Sequence, residues 1–165
     1  MSDEQTIVLV EIVDARWRAA DIPEPEDMID GAVRAALAAC EYAAAVEVGV
    51  RLTSDAEIRE LNRDWRGQDK ATNVLSFALD DEGLSGLPVI PLGDVVLAFD
   101  TCAREAAEEN KPIAHHLSHL VVHGTLHLLG YDHEVAEDAE LMEATEQRIL
   151  QGLGVPDPYA GSVAA

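Results

Sequence analysis

The chain has 165 residues, 48% hydrophobic and 26% charged, with a formal net charge of −21. That length and balance suit one soluble domain with one core, and no run approaches the roughly 18 apolar residues of a membrane span. So acidic a surface opposes nucleic-acid contact through any general basic field. The start, Met1-Ser2-Asp3-Glu4, has neither the basic nor the apolar segment of a secretory leader, so the expected compartment is the cytoplasm.

In chain order, residues 6–13 are rich in β-branched side chains and predict a strand. Asp21-Ile22-Pro23-Glu24-Pro25 predicts a turn, and the Ala-rich stretch 26–42 a helix. Residues 45–52 alternate, with Val46, Val48, Val50 and Leu52 on one face, the period of a half-buried strand. Ser54 followed by Glu57 is a capping box that opens a helix to about Trp65. A turn at 66–69, a short strand at 73–77 and a Gly- and Pro-containing loop at 80–91 follow. Residues 95–99 predict a buried strand, and Asp100 a cap for a helix ending near Asn110. Pro112 suits the first turn of a helix that reaches Leu129 and stops at Gly130. A last helix covers 136–150, and 160–165 is expected to fray. Cys40 and Cys102 have no CxxC partner and are expected to be small buried residues rather than a disulfide. The order implies an α/β (α+β) fold: one domain over 1–165, with a small mixed four-stranded sheet packed with helices. The strand at 73–77 is expected at its edge.

Two clusters stand out. Arg59, Arg63, Arg66 and Lys70 fall within 12 residues, the most basic stretch of an acidic chain, although Glu60, Asp64 and Asp69 reduce it to a net +1. All six histidines lie between residues 115 and 133. On a helix from 112 to 129, His116, His119, His123 and His127 share one narrow face, with Leu117, Val121 and Leu128 opposite. Histidines at i and i+4 place two imidazoles side by side, as a tetrahedral metal needs from one helix. Gly130 then allows a sharp turn that returns His133 to the same point.

His123, His127 and His133 therefore predict a zinc site with one ion per chain. Structural zinc is normally closed by four protein ligands that usually include Cys, and neither Cys lies near this run. Three histidines leave a fourth position for water, whose pKa on zinc falls to about 7. The spacing H-x-x-x-H-x-x-G-x-x-H equals that of metzincin peptidases. Those enzymes carry a Glu base directly after the first histidine, where this chain has Gly124, so a peptidase mechanism is disfavoured. His119 and Asp132 are candidates to support the ligands or line the cleft, with Glu134 also flanking the third ligand, and His116 is expected to be solvated.

The run His123-Gly-Thr-Leu-His127-Leu-Leu-Gly130-Tyr-Asp-His133 resembles the signature of the bacterial YbeY family of endoribonucleases and rRNA maturation factors. The block 61–77, ending Asp69-Lys70-Ala71-Thr72-Asn73-Val74-Leu75-Ser76-Phe77, is similar to that family's D-K-P-T-[DN]-V-L-S-F-P stretch. Leu92-Gly93-Asp94-Val95-Val96 and the ending Leu153-Gly154-Val155-Pro156-Asp157-Pro158-Tyr159 agree with it too. Ala71 and Ala78 stand where the family has prolines, a difference that bears on loop rigidity more than on chemistry. The first 30 residues carry no matching motif.

The resemblance implies a zinc-dependent, single-strand-specific endoribonuclease acting in 16S rRNA 3′-end maturation and ribosome quality control, partnered by rRNA and the small ribosomal subunit. It also implies that Arg66 is the catalytic arginine beside the metal. A guanidinium there would offer a planar fork of donors to phosphate oxygens. A chain at −21 is expected to reach rRNA through a local basic lip or through ribosomal or assembly-factor proteins. The attacking group, water on zinc or a ribose 2′-OH, stays open. Two rivals remain, another zinc hydrolase such as a peptidase and a non-enzymatic assembly factor stabilised by zinc.

Overall fold

The computed structural model describes residues 5–42, 44–79, 87–131 and 136–159. Four strands, β1 (Ile7–Ile12), β2 (Val46–Thr53), β3 (Val74–Ala78) and β4 (Ile90–Ala98), form one sheet in the order β1-β2-β4-β3. β1 and β4 run parallel to β2, and β3 runs antiparallel to β4. Among the described residues six helices accompany them: α1 (Arg16–Ala19), α2 (Pro25–Ala39), α3 (Asp55–Arg66), α4 (Phe99–Glu108), α5 (Ile113–Leu128) and α6 (Ala136–Gly152). This is the expected mixed four-stranded α+β domain, with β3 at the edge.

The alternation in β2 does what its period requires. Val46, Val48, Val50 and Leu52 are buried on the face covered by α2 and α5. On the opposite face, α3 rests on β3 and β4 through a smaller cluster of Ile58, Leu75, Val96 and Ala98. α5 is the central helix: Leu117, Val121 and Leu126 are fully buried, and it touches β3, β4, α2, α4 and α6. Its last turn closes as a Schellman motif. Gly130, at φ +98°, donates its N–H to His127 O, and Tyr131 donates to Leu126 O.

Several boundaries differ from the sequence expectation. α1 is a single turn anchored by the fully buried Trp17, whose Nε1 donates to Thr53 O at 2.9 Å. It is too short to show a period. The helix expected over 26–42 begins at Pro25 and ends at Ala39. Of the loop expected over 80–91, residues 80–86 lie outside the described residues, and Ile90 and Pro91 belong to β4. Pro112 is the cap before α5 rather than its first residue. Phe99 opens α4 instead of ending a strand.

Two caps are also rearranged. Ser54 accepts from Glu57 N, but the Glu57 carboxylate does not return to Ser54; it pairs with Arg51 at 2.6 Å. Asp100 does not cap its own helix. Its carboxylate accepts the N–H of Asp55, the first residue of α3, at 3.0 Å. Asp55 in turn accepts from Thr101 N and Thr101 Oγ1 in the first turn of α4, each at 2.9 Å. The two helix starts thus satisfy each other's free donors.

Candidate metal centre

α5 carries the histidines because its opposite side must be apolar to fill the core. Side chains four residues apart on such a helix stack over one another. His123 and His127 follow that rule, and their Nε2 atoms lie 3.1 Å apart. The outer nitrogens decide what this contact means. His127 Nδ1 lies 2.9 Å from Tyr131 O, and His123 Nδ1 lies 2.8 Å from Glu146 Oε2. A carbonyl and a carboxylate only accept, so each Nδ1 carries its ring's proton and each neutral Nε2 presents a lone pair. Two lone pairs at that separation repel unless a shared proton or a metal cation lies between them. Tetrahedral zinc with nitrogen bonds of about 2.0–2.1 Å would set the two nitrogens about 3.3–3.4 Å apart, so the donor pair fits such an ion.

His133, with its neighbours Asp132 and Glu134, lies outside the described residues. His119 is one turn before His123, its Nε2 3.4 Å from Glu146 Oε1 and 3.3 Å from Tyr159 Oη. His119, His123 and Glu146 bring one donor atom each within 4.8 Å of one another and could themselves hold a metal ion. Glu146 is fully buried, however, and its oxygens already accept from His123 and from the Tyr159 hydroxyl at 2.5 Å. The His123–His127 side is partly open to solvent, as substrate access requires. His116 is not solvated as expected. It is 3% exposed and its Nε2 sits 2.8 Å from Glu105 Oε1, which also accepts from Asn73 Nδ2 at 2.9 Å. Burial, only partly offset by Glu105, holds its imidazole below the usual histidine value.

Glu146 and Tyr159 are the residues that sequence reasoning passed over. A signal for Glu146 was present. It shares a face of α6 with the buried Met142, Thr145, Ile149 and Leu150, a lone carboxylate in an otherwise apolar stripe. Burial alone would raise its pKa, but donors from His119, His123 and Tyr159 prevail and hold it at about 2. Burial and the adjacent Glu146 carboxylate push the Tyr159 hydroxyl well above its ordinary value, so it remains a donor.

Arg66 ends α3 and reaches the sheet edge. Its Nη2 donates to Ser76 O at 2.8 Å, and the guanidinium lies 5.8 Å over the Phe77 ring. Ser76 Oγ donates to Gly124 O at 2.9 Å, beside His123. One edge-strand residue thereby ties the arginine to the histidine helix. Arg59 and Arg63 are matched to Asp69 and Asp64, whereas Arg66 makes no ion pair among the described residues.

Gly124 explains why this helix lacks the peptidase glutamate. A Cβ there would come within 2.6 Å of Val95 Cγ1 and 3.1 Å of Ser76 Oγ. α5 lies so close to β3 and β4 that a side chain there would force Val95 or the helix to shift.

The model of the family described as Endoribonuclease YbeY matches residues 12–154. The chain belongs to the YbeY family. It is 52% identical to Endoribonuclease YbeY of Bradyrhizobium sp. (strain BTAi1) over 95% of each chain. It is 57% identical to that of Bradyrhizobium diazoefficiens, over 84% of this chain and 78% of the relative. The solution structure of TM1509 from Thermotoga maritima superposes with a TM-score of 0.56 at 25% identity, covering 89% of this chain and 91% of that one. The YbeY match includes α5, the Arg66 block and all of α6, and stops before Tyr159. No helix among the described residues is long and apolar enough to cross a membrane.

Proposed function

We propose that the chain is a zinc-dependent endoribonuclease that cuts single-stranded RNA in the cytoplasm, acting in 16S rRNA 3′-end maturation and late ribosome quality control. The observation that carries this reading is the meeting of His123 Nε2 and His127 Nε2 at 3.1 Å, with both Nδ1 atoms turned to acceptors, in a chain whose relatives bear the name Endoribonuclease YbeY. His123, His127 and His133 would hold the ion, because an all-imidazole set suits zinc. When bound, zinc supplies a Lewis acid for a phosphoryl oxygen and lowers the pKa of water.

The remaining work falls to the chain. Tyr131 O keeps the His127 ring in one tautomer. Arg66, steadied by Ser76 O and the Phe77 face, offers further N–H donors in one plane to a phosphate whose charge grows in the transition state. The crowding at Gly124 disfavours a peptidase, since a glutamate base there would force Val95 or the helix to shift. With a net charge of −21, delivery to rRNA on the small subunit is best served by ribosomal or assembly-factor proteins.

The test is cleavage of a 16S precursor RNA by purified protein of measured metal content. His127→Ala should lose both zinc and cleavage. Arg66→Ala should keep zinc and stay within about 0.5 kcal/mol of wild-type stability, yet cleave about 100-fold more slowly or worse. Arg66→Lys should recover only part of the rate, since a point charge replaces a planar fork. Arg63→Ala should change little beyond salt dependence. Wild-type cleavage by Arg66→Ala beside a dead His127→Ala would refute the arginine assignment. Wild-type rates in both would mark the cleavage as a contaminant's and favour an assembly factor without nuclease activity.

A further inference from the structure

We infer that Glu146 is a positioning residue for His123, and that Tyr159, carried on the segment after α6, holds Glu146 in place; this rests on the metal reading above. A carboxylate with no exposed surface is costly unless its charge is met by donors. At this point of α6, among Met142, Ile149 and Leu150, a leucine or methionine would pack without that cost. A break with the local apolar pattern is the kind of exception that marks a functional position.

The donors around Glu146 are directional. Tyr159 has one hydroxyl proton, and the 2.5 Å contact assigns it to Glu146 Oε1. The His119 Nε2–H is then shared between the Tyr159 oxygen at 3.3 Å and Glu146 Oε1 at 3.4 Å. This makes His119 Nδ1 a lone pair rather than an N–H, which suits its burial without a hydrogen-bond partner. The second carboxylate oxygen is left for His123 Nδ1–H at 2.8 Å. The sequence of contacts, His119 to Tyr159 to Glu146 and from His123 to Glu146, fixes one tautomer of His123. Its Nε2 lone pair is thereby aimed at His127.

The backbone brings Tyr159 there by a turn. Gly154, at φ +80°, donates to Gln151 O, and Val155 donates to Leu150 O, so the chain reverses at the end of α6 and runs back toward residue 146. Val155 packs on the main core and anchors the return.

The experiment uses the full chain as wild type, Glu146→Gln, Tyr159→Phe and His127→Ala. Zinc affinity is read by competition with a chromophoric chelator, and cobalt(II) spectra are recorded at saturation. Glu146→Gln should bind zinc about 10–100-fold more weakly, the cost of replacing the charged partner behind a ligand by a neutral amide, and Tyr159→Phe should weaken it less, in the same direction. Both should give the wild-type cobalt spectrum at saturation, because no ligand has been removed. Wild-type zinc affinity in both variants, with His127→Ala deficient, would overturn the positioning role and leave the metal reading intact. A changed coordination spectrum in Glu146→Gln would make Glu146 a ligand and also overturn it. Undiminished zinc binding by His127→Ala would sink the metal reading itself, and this inference with it. If Glu146→Gln does not fold, unchanged affinity in Tyr159→Phe alone rejects the proposal.

Discussion

Gly124 is the residue at which packing and chemistry meet. Adding one methyl there forces Val95 or the helix to move, because the new Cβ would lie 2.6 Å from Val95 Cγ1. Gly124→Ala should therefore cost about 1–3 kcal/mol, although alanine normally favours a helix over glycine. Urea denaturation checks this, and a stabilised variant would show that the sheet and α5 separate easily. The histidines of α5 were legible from spacing because helical period is a local property. His116 was misjudged because the cover over it comes from Glu105 on another helix, which no local pattern reports. Glu146 escaped notice for the same reason: its partners, His119, His123 and Tyr159, come from two other segments.

Among the elements, β2 and α5 were readable, since strict alternation and a long apolar face survive any tertiary context. β4 was not. Pro91 and Gly93 look like loop residues, yet they pair with Glu47 and Val48, where the register shifts. Parallel pairing with β2 overrides the local turn signal. The mutual capping of α3 and α4 was hidden for a similar reason, because Asp100 looks like the cap of its own helix and Asp55 lies inside the Ser54–Glu57 capping box. Asp55→Ala should cost about 1–2 kcal/mol by denaturation, the range for a lost helix cap; no loss would mean that water replaces the carboxylate freely. Asp100 gives this junction a pH signature. Arg16, first, and then the Asp55 amide lower its pKa from 3.8 to about 2. A carboxylate depressed in the folded state contributes stability above its unfolded value and loses it as pH falls. The contribution should be complete above pH 3.8 and vanish as pH drops through 2. Asp100 is 41% exposed, so screening limits it to below about 1 kcal/mol. Asp100→Asn should flatten stability against pH in that window; an unchanged slope would exclude the junction as its source.

At the scale of the whole molecule, the core does not depend on the metal centre. Trp17, Ile29, Leu52, Leu97 and Leu117 are buried by the sheet, α2 and α5. Zinc binding only to the folded state would add about 4 kcal/mol at a thousandfold excess over Kd. Chelation should thus lower the melting temperature while leaving the far-ultraviolet spectrum folded at 25 °C. An unchanged melting curve after verified zinc removal would contradict the expected ion. The contact between Tyr159 and Glu146 has one more consequence, set by the direction of synthesis. Chains are made from the N-terminus, and domains begin to fold as they emerge. The strands, α5 and α6 are therefore all synthesised before Tyr159 is added. A growing or prematurely ended chain short of residue 159 could hold its sheet, but it would lack the hydroxyl that closes the pocket around Glu146. Such a fragment would keep its sheet while the candidate metal centre stayed unfinished.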